Sequence, residues 1–238
     1  MWNETKRAQY LAGLRAGIPI ILGFIPVGIA YAIMAGQAGL SGAETVLMSA
    51  TVLAGASQMM AVGMYAQGAA LVTIIVATFV LNLRHLIMST CVMNEMREAP
   101  LGIRLLGAFG VTDETFAMFT TARDGHSNSM FFMGLVTCAY TSWVGGTAIG
   151  VLTSNLLPDL LSASLGISLY AMFVAILVPN LTKNLRLALL AVLTAAVNTL
   201  LRNVMDGSWA LVVSTVICAG IGVFFVPLEE QGGAEDAR

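Results

Sequence analysis

The sequence predicts an all-α integral membrane protein with about seven or eight hydrophobic helices, some of them discontinuous, and three observations predict it. Of its 238 residues 58% are hydrophobic and only 10% charged, against about 25% charged in ordinary soluble domains. The apolar residues come in continuous runs rather than the alternation of barrel strands, and a bilayer helix needs about 20 of them. Between Ala16 and Leu83 the only Asp, Glu, Lys, Arg or His is Glu44. Helices are the element that such runs can form in lipid, because each satisfies its own backbone polar groups.

Residues 1–15 carry Lys6, Arg7 and Arg15 ahead of the first apolar run. Ala30-Tyr-Ala32 has the look of a cleavage site, but Gly17, Pro19, Gly23, Pro26 and Gly28 interrupt the run and further spans follow, so an uncleaved first helix is expected. That span covers residues 18–35, and Pro26 with Gly28 is expected to break it. After a turn at 36–42, span two takes residues 46–65 and holds Ala54-Gly-Ala-Ser-Gln-Met59, small residues followed by an amide. Span three covers 69–91, and the polar linker up to Pro100 ends it. Span four, 101–121, has Thr112-Asp-Glu114 at its centre between Gly107, Gly110 and its end, which is not a comfortable lipid helix. Span five covers 130–152, span six 165–178, span seven 187–201 and span eight 210–226. The tail at 229–238 is polar and predicted disordered. Residues 1–228 thus read as one transmembrane domain.

Leu22-Gly-Phe-Ile-Pro-Val-Gly28 is similar to Leu106-Gly-Ala-Phe-Gly-Val111, and Phe79-Val-Leu-Asn-Leu83 to Leu177-Val-Pro-Asn-Leu181. The pattern suggests repeats over 17–93 and 101–184 with two further helices behind them. Units of three spans insert with opposite orientation, the inverted-repeat plan of many secondary transporters. Lys and Arg favour the cytoplasmic side, which puts the N-terminus inside. The loop with Arg97 and Arg104 then falls outside, where Glu95 and Glu98 neutralise it.

Asn82, His85 and Ser89 share one face of a straight helix, while Arg84 points elsewhere. Two readings stand. The polar face lines a pathway and Arg84 pairs with Asp113 or Glu114, or Arg84 and His85 mark a helix end and snorkel to the headgroups. Asp113 and Glu114 lie too deep in span four to snorkel. Two adjacent carboxylates in low dielectric resist ionising together, as a proton-coupled carrier requires, unless one serves only to neutralise Arg84. Ser57 and Gln58 follow a small-residue cluster whose default role is helix packing. A helix broken at Pro26 and Gly28 would offer an unpaired carbonyl or N–H to a zwitterion, the alternative being a kink without a ligand.

The fourteen methionines read as adaptable packing, and the three cysteines have no paired spacing. No phosphate loop, hydrolytic triad or metal-helix motif occurs, so neither a cofactor nor a metal is expected, nor an enzyme. The net charge of -2 and the lack of a basic stripe argue against nucleic acid.

Taken as a set, Gly23-Phe-Ile-Pro-Val-Gly28, Gly39-Leu-Ser41, Ala54-Gly-Ala-Ser-Gln58, Asn82-Leu-Arg-His-Leu86 and Thr112-Asp-Glu-Thr-Phe-Ala117 resemble the AzlC family. That family supplies the large subunit of two-component bacterial exporters of branched-chain amino acids. The resemblance covers nearly the whole chain. It implies a multi-pass protein of the bacterial cytoplasmic (inner) membrane, export of valine, leucine or isoleucine with methionine as a further candidate, and a small AzlD-type membrane subunit as partner. Ser57 and Met59 stand where the family more often has a small apolar residue and an aromatic, and Ile87-Met88 replaces a segment usually ending in tyrosine. These departures leave the export class intact and the particular amino acid open. The absence of a nucleotide motif and the Asp113-Glu114 pair point to proton coupling. A structural or assembly subunit and an ion channel are the alternatives.

Overall fold

The structure is a computed structural model that describes residues 4–120, 122, 128–154, 174, 178, 185–205 and 207–225. Among these residues the chain is helical and has no strand. The helices are α1 (Glu4–Ala16), α2 (Ile18–Gln37), α3 (Gly42–Thr51), α4 (Gly55–Ala66), α5 (Leu71–Glu95), α6 (Leu101–Phe109), α7 (Asp113–Thr120), α8 (Ser129–Thr153), α9 (Leu185–Leu201) and α10 (Gly207–Phe225). They fall into two compact units, residues 1–172 and 173–238. The expected sixth span, the repeat segment at 177–181 and the tail lie outside the described residues, Val174 and Val178 excepted.

In the first unit α1 and α2 run side by side with α8 and in the same direction. Glycines make this approach possible. A Cβ on Gly13 would lie 2.1 Å from the Phe131 carbonyl, and one on Gly28 3.0 Å from the Trp143 carbonyl. On α8 the same holds for Gly134 against Tyr10, Gly146 against Ile25 and Gly150 against Ile29. Lipid offers no hydrophobic drive for helices to associate, so such backbone contact and the dispersion it brings hold them together. The Tyr10 hydroxyl adds a 3.0 Å hydrogen bond to Thr137. Residues 4–16, read from sequence only as a charged leader to span one, are thus a helix in their own right, continued into α2 through Gly17.

Two expectations change. Pro26 does not break span one, because α2 is continuous from Ile18 to Gln37. The missing Pro26 N–H costs one ladder bond, and packing along α8 keeps the helix together. The interruption lies in span two instead, where residues 52–54 leave the helix: Val52 is extended (φ −129°, ψ 110°) and Ala54 has φ −146°, ψ 69°. Span four breaks as its sequence suggested, at Gly110-Val-Thr112 between α6 and α7.

Helices α3 and α6–α7 descend α8 in the opposite direction to its own chain. Gly42 meets Val151 and Ser49 meets Thr147, while the Phe109 ring meets Tyr140 and Phe119 meets Phe132. Ser41 begins α3 with a capping box, its hydroxyl accepting from the Glu44 amide while the Glu44 carboxylate accepts from the Ser41 N–H. Helix α5 shows Leu71, Val72, Ile75, Phe79, Leu83, Leu86 and Ile87 on its outside, a continuous apolar stripe of the kind lipid requires. By length and apolarity α2, α5 and α8 can each cross a bilayer. The second unit pairs α9 with α10, joined by the Asn198 to Ser214 hydrogen bond of 3.1 Å and by Leu190 seated on Gly222.

Candidate functional site

Both helix interruptions lie against the central turns of α8 and the central turn of α5. A break frees backbone groups that lipid cannot solvate, so each must find a partner inside the protein. At the second break the Gly110 carbonyl accepts from the Thr115 hydroxyl (2.9 Å), and the Thr115 amide turns to the Thr112 hydroxyl (3.2 Å). That leaves the Val111 carbonyl outside the helical ladder, and His85 Nδ1 reaches it at 3.0 Å. At the first break the Ala54 carbonyl accepts from the Gln58 amide (3.0 Å) and the Ser57 hydroxyl (2.9 Å). The Ala50 carbonyl accepts from the Tyr140 hydroxyl at 3.1 Å.

Side chains then tie the two breaks to α5. Asn82 donates from Nδ2 to Ser57 Oγ at 3.1 Å, and Arg84 pairs with Asp113 at 2.7 Å. Because α5 continues to Glu95, Arg84 sits 11 residues from its C-terminal end (95 − 84). At 1.5 Å per residue that is about 16 Å, more than the turn or two that snorkelling spans, so ion pairing is what the structure uses. Asp113 and Glu114 occupy the first turn of α7, where the exposed N–H groups favour negative charge. Glu114 faces the Thr112 hydroxyl and its own amide.

Gln58 is 1% exposed and locked at both ends. Its Oε1 accepts from Trp143 Nε1 at 3.0 Å, and its Nε2 faces Ser49 Oγ at 3.5 Å, which in turn bonds Thr147 at 2.8 Å. Gly55 is required here, since a Cβ would lie 2.7 Å from the Trp143 ring. The small-residue cluster therefore admits an aromatic ring, not a second backbone. Tyr31 stacks on the Trp143 indole at 5.8 Å.

Of the residues singled out in the sequence, Ser57, Asn82, Arg84, His85, Asp113 and Glu114 come together between the two breaks, Gln58 lies beside them against α8, and none of these contacts involves Pro26. Sequence reasoning missed Ser49, Thr115, Tyr140, Trp143 and Thr147. The available signal was the Trp143-x-x-x-Thr147 spacing, which puts both residues on one face of the span. Four polar atoms at the site are buried with no hydrogen-bond partner among the described residues: Asn82 Oδ1, Arg84 Nε, His85 Nε2 and Tyr31 Oη, the last beside the Gln58 amide. Among the described residues no group of three His, Cys, Asp or Glu is placed to hold a metal.

The fold and site define an all-α integral membrane protein whose buried polar residues gather where two helices are interrupted, halfway along the bundle. Residues 19–157 match the family model described as AzlC protein, and the chain belongs to that family. It is 36% identical over 177 residues, 73% of this chain and 77% of the other, to an uncharacterized membrane protein of Archaeoglobus fulgidus. Over 175 residues, 71% of each chain, it is 30% identical to the inner membrane protein YgaZ of Escherichia coli. To the branched-chain amino acid transport protein AzlC of Bacillus subtilis it is 30% identical over 156 residues, 62% of this chain and 60% of that one. No solved structure matches the chain.

Proposed function

We propose that this chain is a secondary-transporter subunit that exports branched-chain amino acids across a bacterial inner membrane, coupled to protons and working with a small membrane subunit. The observation that carries the reading is the convergence of two helix breaks on Asn82, Arg84 and His85 at the middle of α5. Interrupted helices at mid-bundle are where secondary transporters build substrate sites, because a zwitterion in lipid needs polar partners that regular helices withhold. Arg84 keeps a buried Nε–H beyond its pair with Asp113, a donor suited to a carboxylate. The name of the B. subtilis relative supports the substrate class. Lys6, Arg7 and Arg15 on α1 support a cytoplasmic N-terminus.

Transport decides it. Proteoliposomes holding this chain alone, or with its small partner, are loaded with labelled leucine and given an inward proton gradient. Gradient-dependent leucine efflux that Asp113→Asn lowers at least tenfold is the expected result. Efflux indifferent to the gradient and to the substitution removes proton coupling. Ion current without leucine movement identifies a channel, and neither activity under any condition leaves an assembly subunit.

A further inference from the structure

The hydrogen bonds at the site assign the orientation of one amide and the tautomer of one imidazole. Ser57 donates its only hydroxyl proton to the Ala54 carbonyl, so its oxygen must accept from Asn82. Asn82 therefore turns its NH₂ to Ser57 and its carbonyl oxygen away. The Val111 carbonyl can only accept, so His85 carries its proton on Nδ1. The neutral ring then presents an unshared pair on Nε2. Both atoms, Asn82 Oδ1 and His85 Nε2, are buried and without a partner among the described residues. They lie three residues apart on one face of α5, about 5–6 Å between their Cβ atoms. Two buried acceptors side by side suit a donor with more than one proton.

Two other acceptors near the site already have donors. Asp113 is engaged by Arg84, and Gln58 Oε1 by Trp143. Resting on the transport reading above, we infer that Asn82 Oδ1 and His85 Nε2 are the subsite for the substrate's α-ammonium group, and that a proton competes with the ammonium for the same His85 nitrogen. An ammonium donates one hydrogen to each acceptor. A proton on Nε2 turns that acceptor into a donor and places a second positive charge beside Arg84, so an ammonium is expelled. One lone pair thus serves either substrate or proton, the requirement for exchanging one for the other. The charges acting on His85 are Arg84 on its own helix and Asp113 on α7; Glu114 is the other charged residue of α7, Arg104 the one charged residue of α6, and α4 carries none.

The test compares L-leucine with 4-methylpentanoate, the same molecule without its amine, by calorimetric binding to the purified full-length protein between pH 5.5 and 8.5. Charge-assisted hydrogen bonds to the amine lead to an expected preference for leucine of about 10- to 100-fold in the parent. Asn82→Ala should reduce that preference toward parity, and Asn82→Asp should keep it. Leucine affinity should fall about tenfold per pH unit once His85 takes up its proton. His85→Gln, which keeps an acceptor but does not titrate, should bind leucine without that pH dependence. Melting temperature and elution volume establish that each variant is folded. Leucine binding with the same amine preference in Asn82→Ala and the same pH profile in His85→Gln overturns this subsite and leaves the transport reading intact. A parent that binds no leucine at any pH overturns both.

Discussion

At the scale of single residues, the site depends on which polar atoms satisfy one another. Arg84 and Asp113 hold their charges 35% and 26% exposed in the isolated chain, less sheltered than a fully buried pair. Removing one partner should cost about 1–3 kcal/mol, below the 3–5 kcal/mol seen on breaking buried pairs. Arg84→Gln and Asp113→Asn should each lower the melting temperature in detergent, and the double variant should lose about 1–2 kcal/mol less than the sum of the two. Strict additivity would show that the charges do not act on each other. This pairing was half legible in the sequence. A deep Arg and two deep acids each require compensation, but whether Asp113 or Glu114 meets Arg84 depends on how α7 is turned, and one-dimensional spacing does not contain that.

Among the elements, α8 organises the first unit through its glycines, and two neighbours give a direct comparison. A Cβ at Gly146 would lie 2.7 Å from the Ile25 carbonyl, backbone that cannot swing aside, whereas one at Gly145 meets nothing within 4 Å. Gly146→Ala should destabilise by about 1–3 kcal/mol. Gly145→Ala should be neutral or stabilising by up to about 1 kcal/mol through helix propensity. Equal melting temperatures for the two would contradict the packing described here. The start of α3 adds a pH effect ahead of the apolar run at Val46. Hydrogen bonds from the Ser41 side chain and backbone hold the Glu44 carboxyl below its usual value of 4.5. A group whose folded value is depressed contributes fully above its unfolded value and loses that contribution as pH falls through the folded one. The protection of the α3 amides, taken against the intrinsic exchange rate at each pH, should therefore be greatest above about pH 5 and fall on acidification, and Ser41→Ala should flatten the response. The Ser41-x-x-Glu44 spacing that marks this cap was present in the sequence and went unread, while Pro26 suggested a break that packing on α8 prevents.

For the molecule as a whole, the direction of its helices constrains how the chain threads. Because α2 and α8 run parallel, the segments between them must make an odd number of crossings. Helix α5 supplies one, so the two interrupted segments either both cross or both turn back. The steady descent of α6–α7 along α8, from Tyr140 at Phe109 to Phe132 at Phe119, favours crossing. Cysteines placed singly at Gln37 and Gln67, with Cys91, Cys138 and Cys218 replaced by Ala, should react with an impermeant maleimide from opposite faces of the membrane. Labelling of both from one face would mean that α3–α4 is re-entrant.

What the sequence determined by itself was the solvent and the class of fold, because long apolar runs with 10% charge leave only helices in lipid. It also pointed to the residues at which that pattern fails, since a charge or an amide in such a run stands out against its neighbours. Only the tertiary structure decided what each of them does. Gln58 and Asn82 are both amides in apolar spans, yet one is locked between Trp143 and Ser49 and the other keeps an acceptor open. The difference lies in partners 9 to 85 residues away along the chain. Hydrogen-bond satisfaction is a property of the space around an atom, so it exists only once the helices have packed.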